Sequence, residues 1–369
     1  MSRIMMVTPV LPSDSANMTG SPAHVLKTVA ALEAAGSVVE VLQIDISSRS
    51  ATSHLRSALL KASKQIREFS PDVIHCHGHI ALGYSRIASL LCQKPTICEL
   101  HGVYVHSTSE QLGARPLLSA AVASVEFPVL SSADAILCQS YEMLKRLKAS
   151  RFLRRKRMAV IYPGVRCSEF INPTLDPALR MSLEDRYRGK IVALYVGSAQ
   201  PYQGLDLLNN AMTTVKAANP NIVAVLIISC DEKNRESVNA FDACEVYSDE
   251  LASSLPTWLD RADILVHSRP DVIDNINVQS KLGLYLAAGK PIVATNVGDY
   301  VSLLMGVPGC YLTVPHPHAI AEALLRAARI LSDLALLSRI QISHQELAHQ
   351  HFDVEINVQR LVSFYREVA

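Results

Sequence analysis

Residues 191–208 have the sequence IVALYVGSAQPYQGLDLL, and this stretch decides the fold class. Its first six residues are apolar and rich in β-branched side chains, which is typical of a buried strand. A loop bounded by Gly197 and Gly204 follows, and its exposed backbone can approach a ligand closely. Leucines at helical spacing come next. A strand, a loop and a helix in this order indicate a β-α-β unit of a parallel sheet.

The same alternation of apolar runs and helical spacing occurs in both halves of the chain. In the first half we predict strands at Ile4–Thr8, Val38–Gln43, Val73–His77, Thr96–Leu100, Ala135–Gln139 and Ala159–Tyr162, and helices at His24–Ala35, Ser53–Phe69 and Leu82–Leu91. In the second half we predict strands at Ile191–Val196, Val223–Ile228, Ala243–Tyr247, Ile264–His267, Pro291–Ala294 and Tyr311–Val314. The segment Pro163–Lys190, with its prolines and glycines, indicates a domain boundary. We therefore predict an α/β protein of two Rossmann-like, doubly wound domains that face each other across a cleft.

The composition excludes several classes of protein. Of 369 residues, 49% are hydrophobic and 19% are charged, so the chain can bury a large core and is not disordered. Lys and Arg total 35 and Asp and Glu total 34, and the net charge of +1 predicts no nucleic-acid partner. The eight cysteines include no Cys-x-x-Cys pair, and we find no secretory leader and no apolar run of membrane-spanning length. We therefore expect a cytoplasmic protein.

A candidate anion site follows the first strand. Gly20 and Ser21 lie in the loop before the first helix, where free backbone amides and the helix dipole favour a phosphate. The loop lacks the G-x-G-x-x-G pattern of dinucleotide-binding proteins. The alternative is that Gly20 only makes a turn.

Histidines end or follow two later strands of the first half. His75, His77 and His79 alternate, which on a strand would place three imidazoles on one face and could suggest a metal. We expect the strand to end at His77, and no acidic residue follows closely, so we predict cleft-lining side chains and no metal site. His101 follows the strand Thr96–Leu100 and is therefore placed at the carboxyl edge of the sheet, where open α/β sheets bind ligands.

A second candidate phosphate site lies in the second half. We predict that Ser280 caps a helix whose first turn contains Lys281, so that backbone amides, a hydroxyl and an ammonium would meet a phosphate together. The alternative is an ordinary helix cap beside a solvated lysine. Neither a G-x-S-x-G elbow nor a Walker loop is present, which excludes α/β-hydrolases and P-loop proteins.

Taken in order, these segments resemble the family 4-like retaining glycosyltransferases of the GT-B class. The resemblance covers essentially the whole chain and is carried by Ala30–Gly36, Pro71–His77, Leu100–Gly102, Ala133–Ser140, Ile161–Val165, Tyr195–Leu208, Ala262–Ser268 and Tyr285–Gly298. It implies a GT-B fold in which residues 1–165 bind the acceptor and residues 166–352 bind the nucleoside diphosphate sugar. It also implies that a helix at residues 353–369 packs back on the first domain.

The resemblance implies roles for the candidate residues. Lys281 and His101 would be catalytic, Lys281 at the diphosphate and His101 at the sugar or its β-phosphate. The implied donor-binding residues are Gly20, Ser21, Gly197, Ser198, Gln203, Gly204, Asn275, Asn277, Ser280 and Gly289. No cofactor is implied, because the nucleotide sugar is a substrate and family members usually use no protein nucleophile.

Four positions depart from the family pattern. Ser198 and Gln203 stand where the family has an arginine and a lysine that clamp the diphosphate, so two positive charges are missing. Ile276 and Leu284 stand where it has a pair of glutamates. An aliphatic side chain therefore replaces the carboxylate that would hold the ribose hydroxyls, and neighbouring polar residues would have to take its place.

The matches and departures leave three hypotheses. The first is a retaining transfer of a sugar from a UDP- or GDP-sugar to a saccharide or lipid-linked acceptor, in surface polysaccharide or glycoconjugate biosynthesis. The second is a degenerate relative that binds a sugar nucleotide or a partner transferase without catalysis. The third is a UDP-sugar epimerase, which would need acid–base carboxylates in the cleft, and the sequence has no clear pair.

The segment Lys145–Arg157 contains eight basic residues in thirteen. One interpretation is a solvated surface of the first domain. The other is a peripheral contact with the anionic inner face of the membrane, which would suit a lipid-linked acceptor.

Overall fold

The computed structural model describes residues 2–9, 21–44, 51–79, 81–83, 85–86, 93–102, 125–229, 238, 240–248, 252–271 and 276–369. The chain divides into two compact units, one of residues 1–164 with 354–369 and the other of residues 165–353. Each unit is built on one parallel sheet.

The first unit contains a six-stranded sheet with the order β2-β1-β3-β4-β5-β6. Its strands are β1 (Arg3–Pro9), β2 (Val38–Ile44), β3 (Val73–His77), β4 (Thr96–Leu100), β5 (Ala135–Cys138) and β6 (Arg157–Val160). Its helices include α1 (Ser21–Ala34), α2 (Ala51–Phe69) and α3 (Tyr141–Ala149). Strands β3, β4 and β5 are buried at every position, as expected for a parallel sheet covered on both faces.

The second unit contains a six-stranded sheet with the order β12-β11-β10-β7-β8-β9. Its strands are β7 (Ile191–Ser198), β8 (Ile222–Ser229), β9 (Cys244–Ser248), β10 (Ile264–His267), β11 (Ile292–Thr295) and β12 (Cys310–Thr313). Its helices include α4 (Ser168–Ile171), α5 (Pro177–Arg186), α6 (Leu205–Ala218), α7 (Leu255–Arg261), α8 (Ser280–Ala288), α9 (Tyr300–Leu304), α10 (Pro317–Arg329) and α11 (Leu334–Phe352).

The last helix, α12 (Val354–Val368), belongs to the first unit. It packs against α1, and its apolar residues Val358, Leu361 and Phe364 join the core formed by that helix and the sheet. Asn357 donates a hydrogen bond of 3.0 Å to the carbonyl oxygen of Tyr162, which anchors the start of the helix. The structure therefore brings the two ends of the chain into one core.

Both sheets have a topological switch point, where the strand order reverses. In the first sheet it lies between β1 and β3, and in the second it lies between β7 and β10. Connections on the two sides of a switch point leave to opposite faces, which opens a crevice beyond the carboxyl ends of the strands. Ligands of open α/β sheets bind in this crevice, so two positions in the chain can carry a site.

The predicted fold class is confirmed. All twelve predicted strands occur, with ends that differ by two residues at most. The largest shift is in β6, which begins at Arg157 because Arg157–Val160 pair residue by residue with Ala135–Cys138. The predicted helix Leu82–Leu91 lies partly outside the described residues. Across the part of the chain that the structure describes, none of the helices has the length and hydropathy to cross a membrane.

Candidate functional site

Lys281 lies in the first turn of α8, beside the switch point of the second sheet. Its ammonium donates hydrogen bonds of 2.7 Å to the hydroxyl of Tyr195 and of 2.9 Å to Oε1 of Gln203. Its Nζ also lies 4.0 Å from the centre of the Tyr195 ring. Within the described ranges no carboxylate pairs with this lysine, so both acceptors of its ammonium are neutral.

The charge of Lys281 is costly in this position. The residue is only 7% exposed. Burial, followed by the positive charge of Arg269, lowers the pKa of Lys281 well below its usual value. A bound anion would offset both effects, because it would place a negative charge beside an ammonium whose hydrogen-bond acceptors among the described residues are neutral.

Arg269 is a second buried cation, and the sequence reasoning missed it. It follows β10 after one residue and is 2% exposed. Its Nη1 donates a hydrogen bond of 2.6 Å to the carbonyl oxygen of Asn277, and burial lowers the pKa of the guanidinium. The available signal was an arginine directly beyond a predicted strand, a position that parallel sheets place at their ligand-binding edge.

Two glycines allow the loop after β7 to lie against these cations. Gly197 has a φ of +153°, and a Cβ atom there would collide with Nζ of Lys281. Gly204 has a φ of +67°, and a Cβ atom there would collide with a carbonyl oxygen just beyond β10. Between them, the hydroxyl of Ser198 accepts a hydrogen bond of 3.4 Å from Nε2 of Gln203. The structure therefore brings the four predicted loop residues together with Lys281.

Ser280 does not cap α8, and this prediction is wrong. The N-cap is Gln279, which has the extended backbone and forms no side-chain capping bond, so that Ser280 is already the first helical residue. The first amides of α8 therefore have no side-chain cap. Uncapped amides at a helix N-terminus attract an anion.

Gly289 lies at the opposite end of α8 from Lys281. It is the C-cap of the helix with a φ of +69°, and a Cβ atom there would come within 2.7 Å of Cγ of Gln341. A cavity of about 400 Å³ opens at this end of the helix, beside Gly289 and Lys290. The end of the helix and its close packing account for this glycine, and nothing there favours a role in donor binding.

The remaining predicted donor residues are less informative. Asn277 contributes its carbonyl oxygen to Arg269, as given above. Asn275 and Gly20 lie outside the described residues, and so does the side chain of Ser21. Among the positions where the family has glutamates, Ile276 is buried and Leu284 is half-buried.

One buried carboxylate organises the switch point of the first sheet. Glu99 accepts hydrogen bonds from Nε2 of His24 at 2.8 Å, Nε2 of Gln139 at 3.0 Å and Nε2 of His75 at 3.1 Å. Burial alone would raise the pKa of Glu99, but the charge of His24 and its hydrogen bond outweigh burial and hold the pKa well below its usual value. Glu99 is therefore an anion at neutral pH.

The histidines around Glu99 respond in different ways. Burial would lower the pKa of His24, but the charge of Glu99 and its hydrogen bond raise it overall. Burial dominates at His77 and lowers its pKa well below the usual value, despite the same carboxylate. The hydroxyl of Tyr365, on α12, hydrogen-bonds to Nδ1 of His75 and fixes that ring from the other side.

His101, a predicted catalytic residue, joins this cluster. Its Nδ1 lies 2.7 Å from Nε2 of Gln139, and its Nε2 lies 3.2 Å from Nδ1 of His77. Burial lowers the pKa of His101, although the charge of Glu99 opposes the change. The structure therefore places a neutral imidazole at the carboxyl edge of β4.

The predicted row of three alternating histidines ends at His77. His79 lies beyond the strand, with its Nε2 2.6 Å from Oε1 of Glu126. Three other groups converge, because the ligand atoms of His24, His77 and Glu99 lie within 4.8 Å of one another and could hold a metal ion. The expectation that the chain has no metal site stays a prediction.

The basic segment Lys145–Arg157 is partly neutralised by its own unit. Lys148 donates to the carbonyl oxygens of Arg154 and Lys156, and Arg157 pairs with Glu367. Apart from Arg157, the exposed cations are Lys145, Arg151, Arg154 and Arg155. They lie on either side of Phe152 in the sequence. The Phe152 ring is 46% exposed, and its centre lies 4.8 Å from the guanidinium carbon of Arg151.

Solved structures resemble the whole chain. A glycosyltransferase from Rickettsia africae has a TM-score of 0.76 at 16% identity and covers 100% of this chain and 98% of its own. HepE from Anabaena, in complex with UDP and glucose, has a TM-score of 0.75 at 17% identity over 100% of both chains. Sucrose-phosphate synthase from Thermosynechococcus elongatus has a TM-score of 0.74 at 17% identity, over 99% of this chain and 98% of its own. At these identities the likeness establishes the fold, and the protein is of the two-domain α/β GT-B class.

Two family models match the sequence in succession. The model described as Glycosyltransferase Family 4 matches residues 20–169, and that described as Glycosyl transferases group 1 matches residues 190–329. No curated protein gives a significant match. The chain belongs to the family 4-like GT-B glycosyltransferases.

Proposed function

We propose that the chain is a retaining glycosyltransferase that moves a sugar from a UDP- or GDP-sugar to a saccharide or lipid-linked saccharide acceptor. The observation that carries this proposal is the pair of buried cations, Lys281 and Arg269, at the switch point of the second sheet. A nucleoside diphosphate carries the negative charge that two buried cations attract. Solved structures with the same fold, such as HepE from Anabaena, hold UDP and glucose, which supports this choice of donor.

The two cations would stabilise the leaving diphosphate. As the bond between the anomeric carbon and the β-phosphate oxygen breaks, negative charge grows on the phosphate, and the acceptor hydroxyl bonds to the same face of the sugar and loses its proton to the departing phosphate oxygen. Lys281, Arg269 and the uncapped amides of α8 would meet that charge. Preorganised donors of this kind act strongly when water is excluded, and losing one typically costs about 3 kcal/mol in activation free energy.

The chain would rebuild the family's missing clamp from another element. Gln203 and Ser198, which stand where the family has basic residues, hold the ammonium of Lys281 and one another. Arg269 supplies a positive charge from the loop after β10 instead. The loss of two charges after β7 is therefore in part offset, and this favours a working donor site over a degenerate one.

His101 would lie at the sugar or its β-phosphate from the first unit. The predicted roles of Gly20 and Ser21 at the phosphate or acceptor edge stay part of the proposal. The proposed transfer uses no cofactor, since the nucleotide sugar is itself consumed.

If the acceptor is lipid-linked, we expect the protein at the inner face of a membrane. If the acceptor is a simple saccharide, we expect it in the cytoplasm. The four exposed cations on either side of Phe152 support the membrane location, because each Lys or Arg near an anionic surface contributes about 1 kcal/mol of binding free energy. Sedimentation with anionic vesicles would test it, with Arg151, Arg154 and Arg155 changed to Glu. Binding that persists in this variant contradicts the membrane contact.

The alternative is a degenerate relative that binds a sugar nucleotide or a partner transferase without catalysis. The apolar residues Ile276 and Leu284, at the positions where the family has glutamates, favour it.

Release of UDP or GDP from common UDP- and GDP-sugars, measured with simple saccharide acceptors, separates the two functions. Turnover by the wild type that Lys281→Ala abolishes and Lys290→Ala retains supports the transferase. Binding of a nucleotide without turnover supports a degenerate relative that binds a sugar nucleotide. Neither binding nor turnover by the folded protein contradicts the transferase and favours a degenerate relative that binds a partner transferase.

A further inference from the structure

Gln139 lies between the carboxylate of Glu99 and the imidazole of His101 in the first unit. It follows β5 directly, and its Nε2 lies 3.0 Å from Oε1 of Glu99 and 2.7 Å from Nδ1 of His101. The side chain is 5% exposed, so water does not compete for these contacts. The family pattern described above assigns no function to this position.

The orientation of the Gln139 amide follows from Glu99. An ionised carboxylate can only accept hydrogen bonds, so the amide atom that faces it must be the nitrogen. An amide nitrogen carries two hydrogens, and the second one points at His101. Nδ1 of His101 must accept this bond, which leaves it without a hydrogen of its own.

We propose that Gln139 is a positioning residue that holds His101 as a neutral imidazole with its hydrogen on Nε2. His101 can then donate a hydrogen bond from Nε2 and cannot deliver a proton from Nδ1. The transfer role of His101 rests on the proposed function, but the position of its hydrogen does not.

The rest of the cluster is consistent with this assignment. Nε2 of His101 faces Nδ1 of His77 at 3.2 Å, and that nitrogen is available to accept because its distance of 3.6 Å from Glu99 is too long for a hydrogen bond. The other nitrogen of His77 faces the sulfur of Met6 at 2.9 Å and can keep its hydrogen there. Each of these contacts then pairs one donor with one acceptor.

The assignment decides what His101 contributes to catalysis. A general acid or base works best when its pKa lies near the working pH. The groups that face His101 are Glu99 on β4, His24 on α1, and His75 and His77 on β3. The charge of Glu99 favours a positive imidazolium, as would a hydrogen bond accepted by Gln139, but burial and the charges of His24 and His75 lower the pKa of His101 overall. Because the Gln139 amide presents its nitrogen to both Glu99 and His101, it makes His101 a fixed hydrogen-bond donor to His77 and not a general acid or base.

The test reads the ring nitrogens directly and needs no substrate. Long-range proton–nitrogen NMR spectra of the full chain with labelled histidines distinguish the two tautomers, and His101→Asn assigns the signals. The wild type, prepared with a chelator, should carry the His101 hydrogen on Nε2, and His101 should take up a proton only at a pH below its ordinary pKa of 6.5. A hydrogen on Nδ1 in the wild type would overturn the proposal, whatever the variants do.

Variants separate positioning from a merely structural role. Gln139→Glu offers an acceptor, so His101 should gain a hydrogen on Nδ1 and its pKa should rise. Gln139→Met removes the amide with little change in volume, and the Nδ1 signal should lose the shift caused by its hydrogen bond. Gln345→Met, which removes an amide from the second unit, is the matched control and should leave His101 unchanged. Unaltered His101 signals in both Gln139 variants would refute the proposal.

A zinc titration of the wild type tests the alternative that His24, His77 and Glu99 bind a metal ion. If one equivalent of zinc shifts the signals of His24 and His77 and removes the Nε2 hydrogen of His101, the cluster is a metal site and the proposal fails. Unchanged signals support the hydrogen-bonded network.

Discussion

At the switch point of the first sheet, Glu99 accepts three hydrogen bonds and is surrounded by four histidines. At the switch point of the second sheet, Lys281 and Arg269 are buried, and the ammonium of Lys281 has only neutral hydrogen-bond partners among the described residues. Both positions are where open α/β sheets bind ligands. Among the described residues, the buried carboxylate of Glu99 is paired with histidines, and the buried ammonium of Lys281 is paired with neutral groups.

The difference teaches what each site does. A balanced network costs little to keep and fixes its side chains in place, so the first site is built to orient a group such as His101. A buried cation without a charged partner among the described residues destabilises the free protein and is relieved by an anion, which is why we propose that the second site binds one. Variants that remove the buried charge from either site test this difference.

The largest effect is expected from Glu99→Gln. The change leaves His24 and the other donors without their carboxylate, and breaking a buried charge pair costs about 3–5 kcal/mol in free energy of unfolding. Denaturant unfolding measures the loss. Glu142→Gln, which removes the half-buried partner of Arg146, should cost less than about 1 kcal/mol, because this ion pair lies at the protein surface.

The same variant has a predicted pH dependence. Because the pKa of Glu99 is lowered by folding, its stabilisation is complete above the ordinary value of 4.5 and is lost as the pH falls through the lower value in the folded state. The stability difference between wild type and Glu99→Gln should therefore shrink below pH 4.5, and it should also shrink as the pH rises through the raised pKa of His24, because Glu99 raises that pKa. A difference that does not change with pH would contradict the role of this carboxylate.

The next effect has the opposite sign. Lys281→Met should stabilise the free protein by about 1–4 kcal/mol, because it replaces a buried charge by an apolar side chain of similar volume. The folded pKa of Lys281 is lowered, so its cost is complete below that value and disappears as the pH rises to its ordinary pKa of 10.5. The gain measured by thermal unfolding should shrink at high pH. A destabilised variant would mean that the charge of Lys281 is already balanced.

How much of this comparison the sequence predicts depends on the residue. Lys281 and His101 could be placed because each follows a landmark, a helix start or a strand end. The strands could be placed because buried parallel strands are continuous apolar runs. Arg269 was missed although the same signal was available, since it follows the predicted strand Ile264–His267 after one residue.

Glu99 and Gln139 were missed for another reason. Each looks like a single polar residue at the end of an apolar run. Only the pairing of β3 with β4 and of β4 with β5 brings them to one face with His77, as its register with Glu99 shows. Strand order is a property of the folded chain, so this contact could not be predicted from the sequence alone. The wrong cap at Ser280 arose because Gln279, a weaker capping residue, takes the extended backbone position.

A smaller effect is expected from Arg269→Gln. It should weaken UDP or GDP binding about tenfold, since a hydrogen bond to a charged group contributes about 1.5 kcal/mol or more. Isothermal calorimetry measures the change, with exposed Arg326→Gln as the control in the same unit. Equal affinities of wild type and Arg269→Gln would remove Arg269 from the site.

The smallest effect concerns the ribose. Because Ile276 and Leu284 carry no hydrogen-bonding group, UDP and its 2′-deoxy form should bind with affinities that agree within about threefold. Leu284→Glu restores a carboxylate at the position expected from the family and should create a preference for the ribonucleotide. A strong preference in the wild type would show that another residue recognises the ribose.

We propose above all that Lys281 is a buried cation that binds the diphosphate of the donor. Calorimetric titration with UDP and GDP tests this most directly. Titrations of the wild type, Lys281→Met and the control Lys290→Met in two buffers of different ionisation heat also measure proton uptake. The account predicts binding that weakens as the pH rises through the lowered pKa of Lys281, takes up protons there, and falls about 10-fold to 100-fold in Lys281→Met but not in the control. No binding by the folded wild type, or equal binding by Lys281→Met, would contradict it.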